Sequence, residues 1–126
     1  MAKEIINTSN APAPIGPYNQ AVLTGNLLFI SGQVALKPGS GELAIADIIE
    51  ETHQVMQNLK AVLTEASMDF GNVVKTTIFL SDMNLFGQVN EIYGKYFSGD
   101  FPARETVAVK GLPKNVNVEI SMIASK

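Results

Sequence analysis

The stretch Val116-Asn-Val-Glu-Ile-Ser-Met-Ile-Ala124 puts Val116, Val118, Ile120, Met122 and Ala124 in one phase of a two-residue period, with Glu119 and Ser121 in the other. Only an extended strand sends successive side chains to opposite faces, so this run predicts a strand with one side in a core. The same period predicts a strand near Glu105 to Val109. Val107 and Val109 then mark its core side, which leaves Arg104, Thr106 and Ala108 opposite. The connection Gly111-Leu-Pro-Lys-Asn115 is short enough to make the two strands neighbours. A guanidinium and a carboxylate would then share one non-core face, an arrangement suited to a small anionic substrate.

Upstream, Glu4-Ile-Ile reads as a short edge strand, and Asn10 to Pro17, with three prolines and a glycine, as a fixed extended loop. Ala21-Val-Leu-Thr and Leu27-Leu-Phe-Ile-Ser read as strands joined by a Gly25-Asn26 hairpin turn. Lys37 to Glu42 reads as a loop. From about Asp47 to Ala66 the period becomes helical, with Ile48, Thr52, Val55, Met56, Leu59, Val62, Leu63 and Ala66 in one stripe. Val73 to Leu80 is a strand of β-branched and apolar residues. Leu85 to Phe97 is a second helix, with Leu85, Val89, Ile92 and Tyr96 inward.

This order predicts an α+β fold: a mixed β-sheet with both helices packed on one face. The other face would carry Phe29 or its neighbours, Thr77, Phe79, Ala108 and Ile123, too apolar to stay in water. Burial stabilises by roughly 1.5–3 kcal/mol per such side chain, so another subunit is expected to cover it.

A chain of 126 residues is expected to form one domain over 1–126. It contains no cysteine, which removes disulfides, thiol nucleophiles and thiolate metal sites. No run of about 18 apolar residues predicts a membrane span, and the start has no charged-then-apolar export pattern, so a cytoplasmic location is expected. The net charge is −3 and the nine Lys and Arg are scattered singly, with no basic stripe and no exposed aromatic run. Both observations argue against nucleic acid as a partner.

Arg104 offers a planar fork matched to the carboxylate of a 2-oxo or 2-imino acid, or alternatively half of a salt bridge with Glu119 or Glu105. Glu119 would serve as general base toward water if partial burial raises its pKa, or else as an ordinary strand carboxylate. Tyr18 follows the stiff Ile15-Gly-Pro17 segment, which would hold its hydroxyl in one place. Ser31 ends a strand beside Gly32, a glycine that permits close approach of a ligand or another strand. Asn90 lies beside the apolar stripe of the second helix, where its amide could cap a carbonyl or touch a ligand. The single histidine, His53, falls off the stripe of the long helix and reads as solvated, so a serine nucleophile has no base. One histidine without cysteine makes a poor metal site, and the glycines form neither GxGxxG nor a P-loop.

In order along the chain, Ile15-Gly-Pro-Tyr-Asn-Gln-Ala21, Ile30-Ser-Gly-Gln33, Val74-Lys-Thr-Thr77, Asp82-Met-Asn-Leu-Phe86, Phe101-Pro-Ala-Arg104, Leu112-Pro-Lys114 and Val118-Glu-Ile120 resemble the reactive intermediate deaminase (Rid, also called YjgF) family. The resemblance covers essentially the whole chain. It implies a homotrimer of chorismate-mutase-like subunits whose sheets form a central β-barrel, with sites in the inter-subunit clefts. It also implies hydrolysis of 2-aminoacrylate and 2-iminobutanoate to 2-oxo acids and ammonia, without cofactor or metal. Carried over by motif, Arg104 clamps the substrate carboxylate, and Glu119 and the backbone carbonyl of Thr106 position the attacking water. Tyr18 orients the substrate, while Ser31 and Asn90 line the pocket.

Two positions depart from the family pattern. Thr106 stands where deaminase members often have cysteine, which leaves the backbone role intact but removes any thiol chemistry. Glu105 replaces the small residue that usually follows the arginine; strand alternation points it away from Arg104, yet at a rim its charge could repel an anionic substrate or alter subunit contacts. A second expectation from a different class is a metabolite-sensing regulator of branched-chain amino-acid metabolism that binds 2-oxo acids in the same cleft. The family is also labelled as ribonuclease or translation inhibitor, against which the acidic balance argues.

Overall fold

The computed structural model describes residues 2–126. Burial alternates along β6 (Val118–Ser125), with Val118, Ile120, Met122 and Ala124 buried and Glu119, Ser121 and Ile123 on the other side. The strand lies inside a six-stranded sheet whose other members are β1 (Glu4–Ile6), β2 (Ala21–Thr24), β3 (Leu27–Gln33), β4 (Val73–Leu80) and β5 (Ala103–Ala108). The order across the sheet is β1-β2-β3-β6-β4-β5. All pairs are antiparallel except β4 with β5, which run parallel, so the sheet is mixed as the pattern predicts.

Helix α1 (Ile48–Glu65) begins where Asp47 accepts the backbone N–H of Glu50 at 2.7 Å, and Glu50 and Glu51 suit the positive end of its dipole. Its stripe of Val55, Met56, Leu59, Val62 and Leu63 is buried in one core with Leu28, Ile30, Ile78, Ile120 and Met122 of the sheet. Helix α2 (Phe86–Gly94) joins the same core through Val89 and Tyr93. Both helices therefore cover one face. The opposite face carries Phe29 at 43% exposure and Val107 at 43%, beside Ile123, Thr77 and Phe79.

Four expectations need correction. First, β5 and β6 are not neighbours, because β4 lies between them. The short connection carries the chain past β4 rather than turning it back. Second, the phase of β5 is inverted. Parallel pairing sets Arg104 beside Thr76 and Thr106 beside Ile78, so both point to the helical side, and Val107, not Ala108, joins the open face. The period was right, but β5 is an edge strand whose valine belongs to the open apolar face rather than to the helical core. Arg104 and Glu119 thus lie on opposite faces of the sheet and do not share one. Third, His53 is only partly exposed: its Nδ1 is 2.8 Å from the Tyr96 hydroxyl, and the rings lie 5.8 Å apart. The second helix is also shorter than its period suggests, ending at Gly94, with Tyr93 rather than Tyr96 buried.

Candidate active site

Two clusters hold the candidate residues. At the β5 edge, Phe86, Asn90 and Tyr93 lie four and three residues apart on α2 and so share one face of the helix. Arg104 reaches that face. Its Nη1 donates to Asn90 Oδ1 at 2.7 Å, and its Cζ lies 5.2 Å from the centre of the Tyr93 ring and 5.6 Å from that of Phe86. The planar cation is held by one hydrogen bond and two aromatic faces, which leaves donors of its fork for a ligand.

Tyr93 is itself anchored, since its buried hydroxyl donates to Thr76 Oγ1 at 3.0 Å. Burial pushes the Tyr93 phenol up from its ordinary pKa, so it stays neutral beside the cation. Asn90, Tyr93, Gly94, Phe101, Pro102 and Arg104 surround a hollow of about 470 Å³. Further along β5 and on the same side, Thr106 has a buried Oγ1 with no hydrogen-bond partner among the described residues.

The second cluster centres on Glu119. Its side chain lies half-buried on the open face, opposite Phe79 of β4, and burial pushes its carboxyl up from the ordinary value. A bulge in β3 faces this region, where Ile30 pairs with Met122 but Gln33 pairs with Ile120. The bulged pair is Ser31-Gly32. Ser31 Oγ donates to the Asn19 carbonyl at 2.7 Å, which ties β3 to the loop bearing Tyr18.

Tyr18 is 49% exposed and its backbone N–H donates to the Gly16 carbonyl at 2.8 Å. The loop before it is pinned by buried Gln20, whose amide donates to the carbonyls of Thr8, Ala11 and Pro12 and accepts from the Thr8 N–H. Tyr18 and Gly32 line one small hollow.

Of the six residues singled out from the sequence, the structure brings Arg104, Asn90 and Thr106 to the helical side of β5. Glu119 lies on the open face, with Ser31 and Tyr18 on the adjoining strand and loop. Glu105 points to the open face, 3.0 Å from Lys75 Nζ and 3.2 Å from Thr77 Oγ1. The Lys75 ammonium holds its carboxylate below the usual range. It is therefore not at the rim of the Arg104 hollow.

Sequence reasoning missed Phe86, Tyr93, Gln20 and Glu51. The first two were within reach by helical spacing from Asn90. Glu51 is fully buried and accepts from the N–H groups of Asn117 and Val118 and from Asn117 Nδ2, at 2.7, 3.1 and 2.8 Å. It holds the start of β6; three residues after Ile48 and four before Val55, it lies on the apolar stripe of α1, unlike its exposed neighbour Glu50. Among the described residues no three His, Cys, Asp or Glu side chains gather as a metal site, and no helix is long and apolar enough to cross a membrane.

Residues 8–126 match the family described as Endoribonuclease L-PSP. The chain is 51% identical over 122 residues to the 2-iminobutanoate/2-iminopropanoate deaminase of Mus musculus, covering 97% of this chain and 90% of that protein. It is 49% identical over 124 residues to a RutC family protein of Pyrococcus horikoshii, covering 98% of both. Among solved structures, a protein of the conserved Rid family from Yersinia pestis superposes with a TM-score of 0.96 at 48% identity, over 99% of this chain and 100% of that one.

Proposed function

The chain belongs to the Endoribonuclease L-PSP family, also called Rid or YjgF, and from that premise we propose that it hydrolyses 2-imino acids and their enamine tautomers to 2-oxo acids and ammonia. The observation that carries this reading is Arg104, held by Asn90 Oδ1 and bracketed by Tyr93 and Phe86 at a hollow of about 470 Å³. A fixed guanidinium against aromatic walls suits a small carboxylate with a short apolar tail. The deaminase name of the mouse relative agrees with a substrate of that class.

The site is completed between subunits. Arg104 and Glu119 lie on opposite faces with β4 between their strands, so one copy does not bring them together. The open face, with Phe29, Ile123, Phe79 and Val107, supplies the surface on which copies associate. We take the assembly to be a homotrimer whose sheets form a central β-barrel, with Arg104 of one copy beside Glu119 of the next.

Within that cleft, Arg104 takes the substrate carboxylate in a bidentate grip. The enamine accepts a proton at C3 to become the iminium, whose C2 is electrophilic without further activation. Glu119, its carboxyl raised by burial toward the range where a base works, removes a proton from water as the oxygen bonds to C2. Glu119 returns that proton to the carbinolamine nitrogen, the hydroxyl proton passes to solvent as the C–N bond breaks, and ammonia leaves with the 2-oxo acid. The Thr106 carbonyl is the second acceptor for the water, and Tyr18, Ser31 and Asn90 line the cleft. Positioning and charge neutralisation supply most of the rate.

The test couples pure protein to a serine or threonine dehydratase and follows 2-oxo acid release for wild type, Arg104→Ala and Glu119→Ala. Acceleration by wild type that both variants lose supports the deaminase. No acceleration, with a 2-oxo acid still bound through Arg104, replaces it with a metabolite sensor. Release of nucleotides from RNA that Arg104→Ala abolishes moves the reading to the ribonuclease of the family's name.

A further inference from the structure

We propose that Gly32 is a positioning residue for Glu119: the β3 bulge and the missing Cβ together form a seat that only a glycine leaves open for this carboxylate. The proposal rests on the deaminase reading for its kinetic consequence, but not for its geometry. A Cβ built on Gly32 would contact Oε2 of Glu119 and lie 2.8 Å from its Cδ and 3.0 Å from its Cγ. No Cβ occupies such a position unless the neighbour moves. Gly32 has no positive φ to explain a glycine there, since the positive-φ glycines are Gly25, Gly39, Gly41 and Gly99. The close approach of Glu119 is what requires it.

The seat also leaves the carboxylate without a partner. Ser31, the other bulge residue, directs its hydroxyl to the Asn19 carbonyl instead. Phe79 stands directly opposite on β4. The charged groups on the same face, Lys75 and Glu105, are paired with each other at 3.0 Å, and the titratable group of the adjoining loop is the Tyr18 phenol. Within one copy nothing among the described residues donates to Glu119, and burial raises its carboxyl above the ordinary value. A carboxylate bonded to donors would be a weaker base, and one displaced into solvent would be an ordinary one.

The group that must yield to a Cβ is the far end of a flexible side chain rather than backbone, so Gly32→Ala displaces Glu119 and leaves the fold in place. The decisive experiment reads Glu119 directly, by following its carboxyl carbon through a pH titration in wild type and Gly32→Ala by NMR. The expected result is a midpoint above the ordinary carboxylate value in wild type that falls toward it in the variant. An unchanged midpoint, in a variant whose circular dichroism matches wild type, overturns the proposal. This readout needs no activity, so it stands apart from any failure of the deaminase reading.

Where wild type is active, Gly32→Ala should lower kcat about tenfold or more with KM nearly unchanged. The shorter carboxylate of Glu119→Asp withdraws from the added methyl. The double variant Gly32→Ala/Glu119→Asp should therefore be less impaired than the product of the two single losses. Strict multiplication of those losses would also overturn the proposal.

Discussion

Arg104 Nη1 and Asn90 Oδ1 lie 2.7 Å apart, joining the edge strand β5 to helix α2 at the mouth of the candidate site. The amide oxygen accepts one donor of the fork and so fixes the plane in which the remaining donors meet a carboxylate. Removing that acceptor by Asn90→Ala should raise KM for the imino acid about fivefold, the equivalent of one ordinary hydrogen bond, while kcat changes less. Steady-state kinetics of 2-oxo acid release check it. A larger fall in kcat than rise in KM would show that Asn90 acts on the chemical step.

Tyr93 combines two roles that separate by substitution. Tyr93→Phe keeps the ring under Arg104 and removes the hydrogen bond to Thr76, so it should cost about 1 kcal/mol of stability in urea denaturation with KM unchanged. Tyr93→Ala also removes the aromatic face. Its KM should rise severalfold, in line with about 0.5–1 kcal/mol for a cation–π contact.

Glu51 is a buried carboxylate satisfied by three donors from Asn117 and Val118. Glu51→Gln keeps the shape but turns one acceptor into a donor facing donors. The expected loss is about 2 kcal/mol or more, read as a lower denaturant midpoint. Because these bonds hold the start of β6, activity should fall with stability rather than through KM alone.

Glu119 has a folded-state pKa above its unfolded value because burial disfavours the charged form. Between those two values the folded protein binds more protons than the unfolded chain, so stability declines as pH rises through that window. Below it the group imposes no penalty, and above it the penalty is complete. Glu119→Gln should match wild type in acid and exceed it in stability at neutral pH, while losing activity. Thermal melting across a pH series measures this, and a variant less stable than wild type at neutral pH would contradict the sign.

Glu105 is paired with Lys75 and Thr77 on the face opposite Arg104. Glu105→Gln should therefore leave KM for the anionic substrate within about twofold, since the Lys75 ammonium offsets its charge and the sheet separates it from the Arg104 hollow. A marked fall in KM would bring Glu105 back to the rim of the site.

The sequence carried most of the element boundaries. Helix α1 spans Ile48–Glu65 where the helical period runs from about Asp47 to Ala66, and β4 spans Val73–Leu80 as its β-branched run indicates. The side-chain period of β6 names every buried residue of that strand. Arg104, Glu119, Tyr18 and Ser31 were legible because each is chemically unusual for its place: a charged residue beside or inside an apolar strand, a tyrosine after a proline, a serine before a glycine; the role of Thr106 came only from the family resemblance. Gln20 and Glu51 were not, because their value lies in backbone groups far along the chain that bond to them only after folding.

What the sequence determined by itself is the period of each segment, and with it the identity of the strands, the helices and the inward stripe of α1. Period is a local property, set by which side chains neighbouring residues can bury together. Phase and pairing are not local. Whether Arg104 faces the helices or the open side depends on the parallel register with β4, which sets it beside Thr76, and on β4 standing between β5 and β6. Only the tertiary structure decided that the guanidinium and the Glu119 carboxylate lie on opposite faces, because strand order is chosen by the packing of the whole sheet and not by the length of the loop that joins two strands.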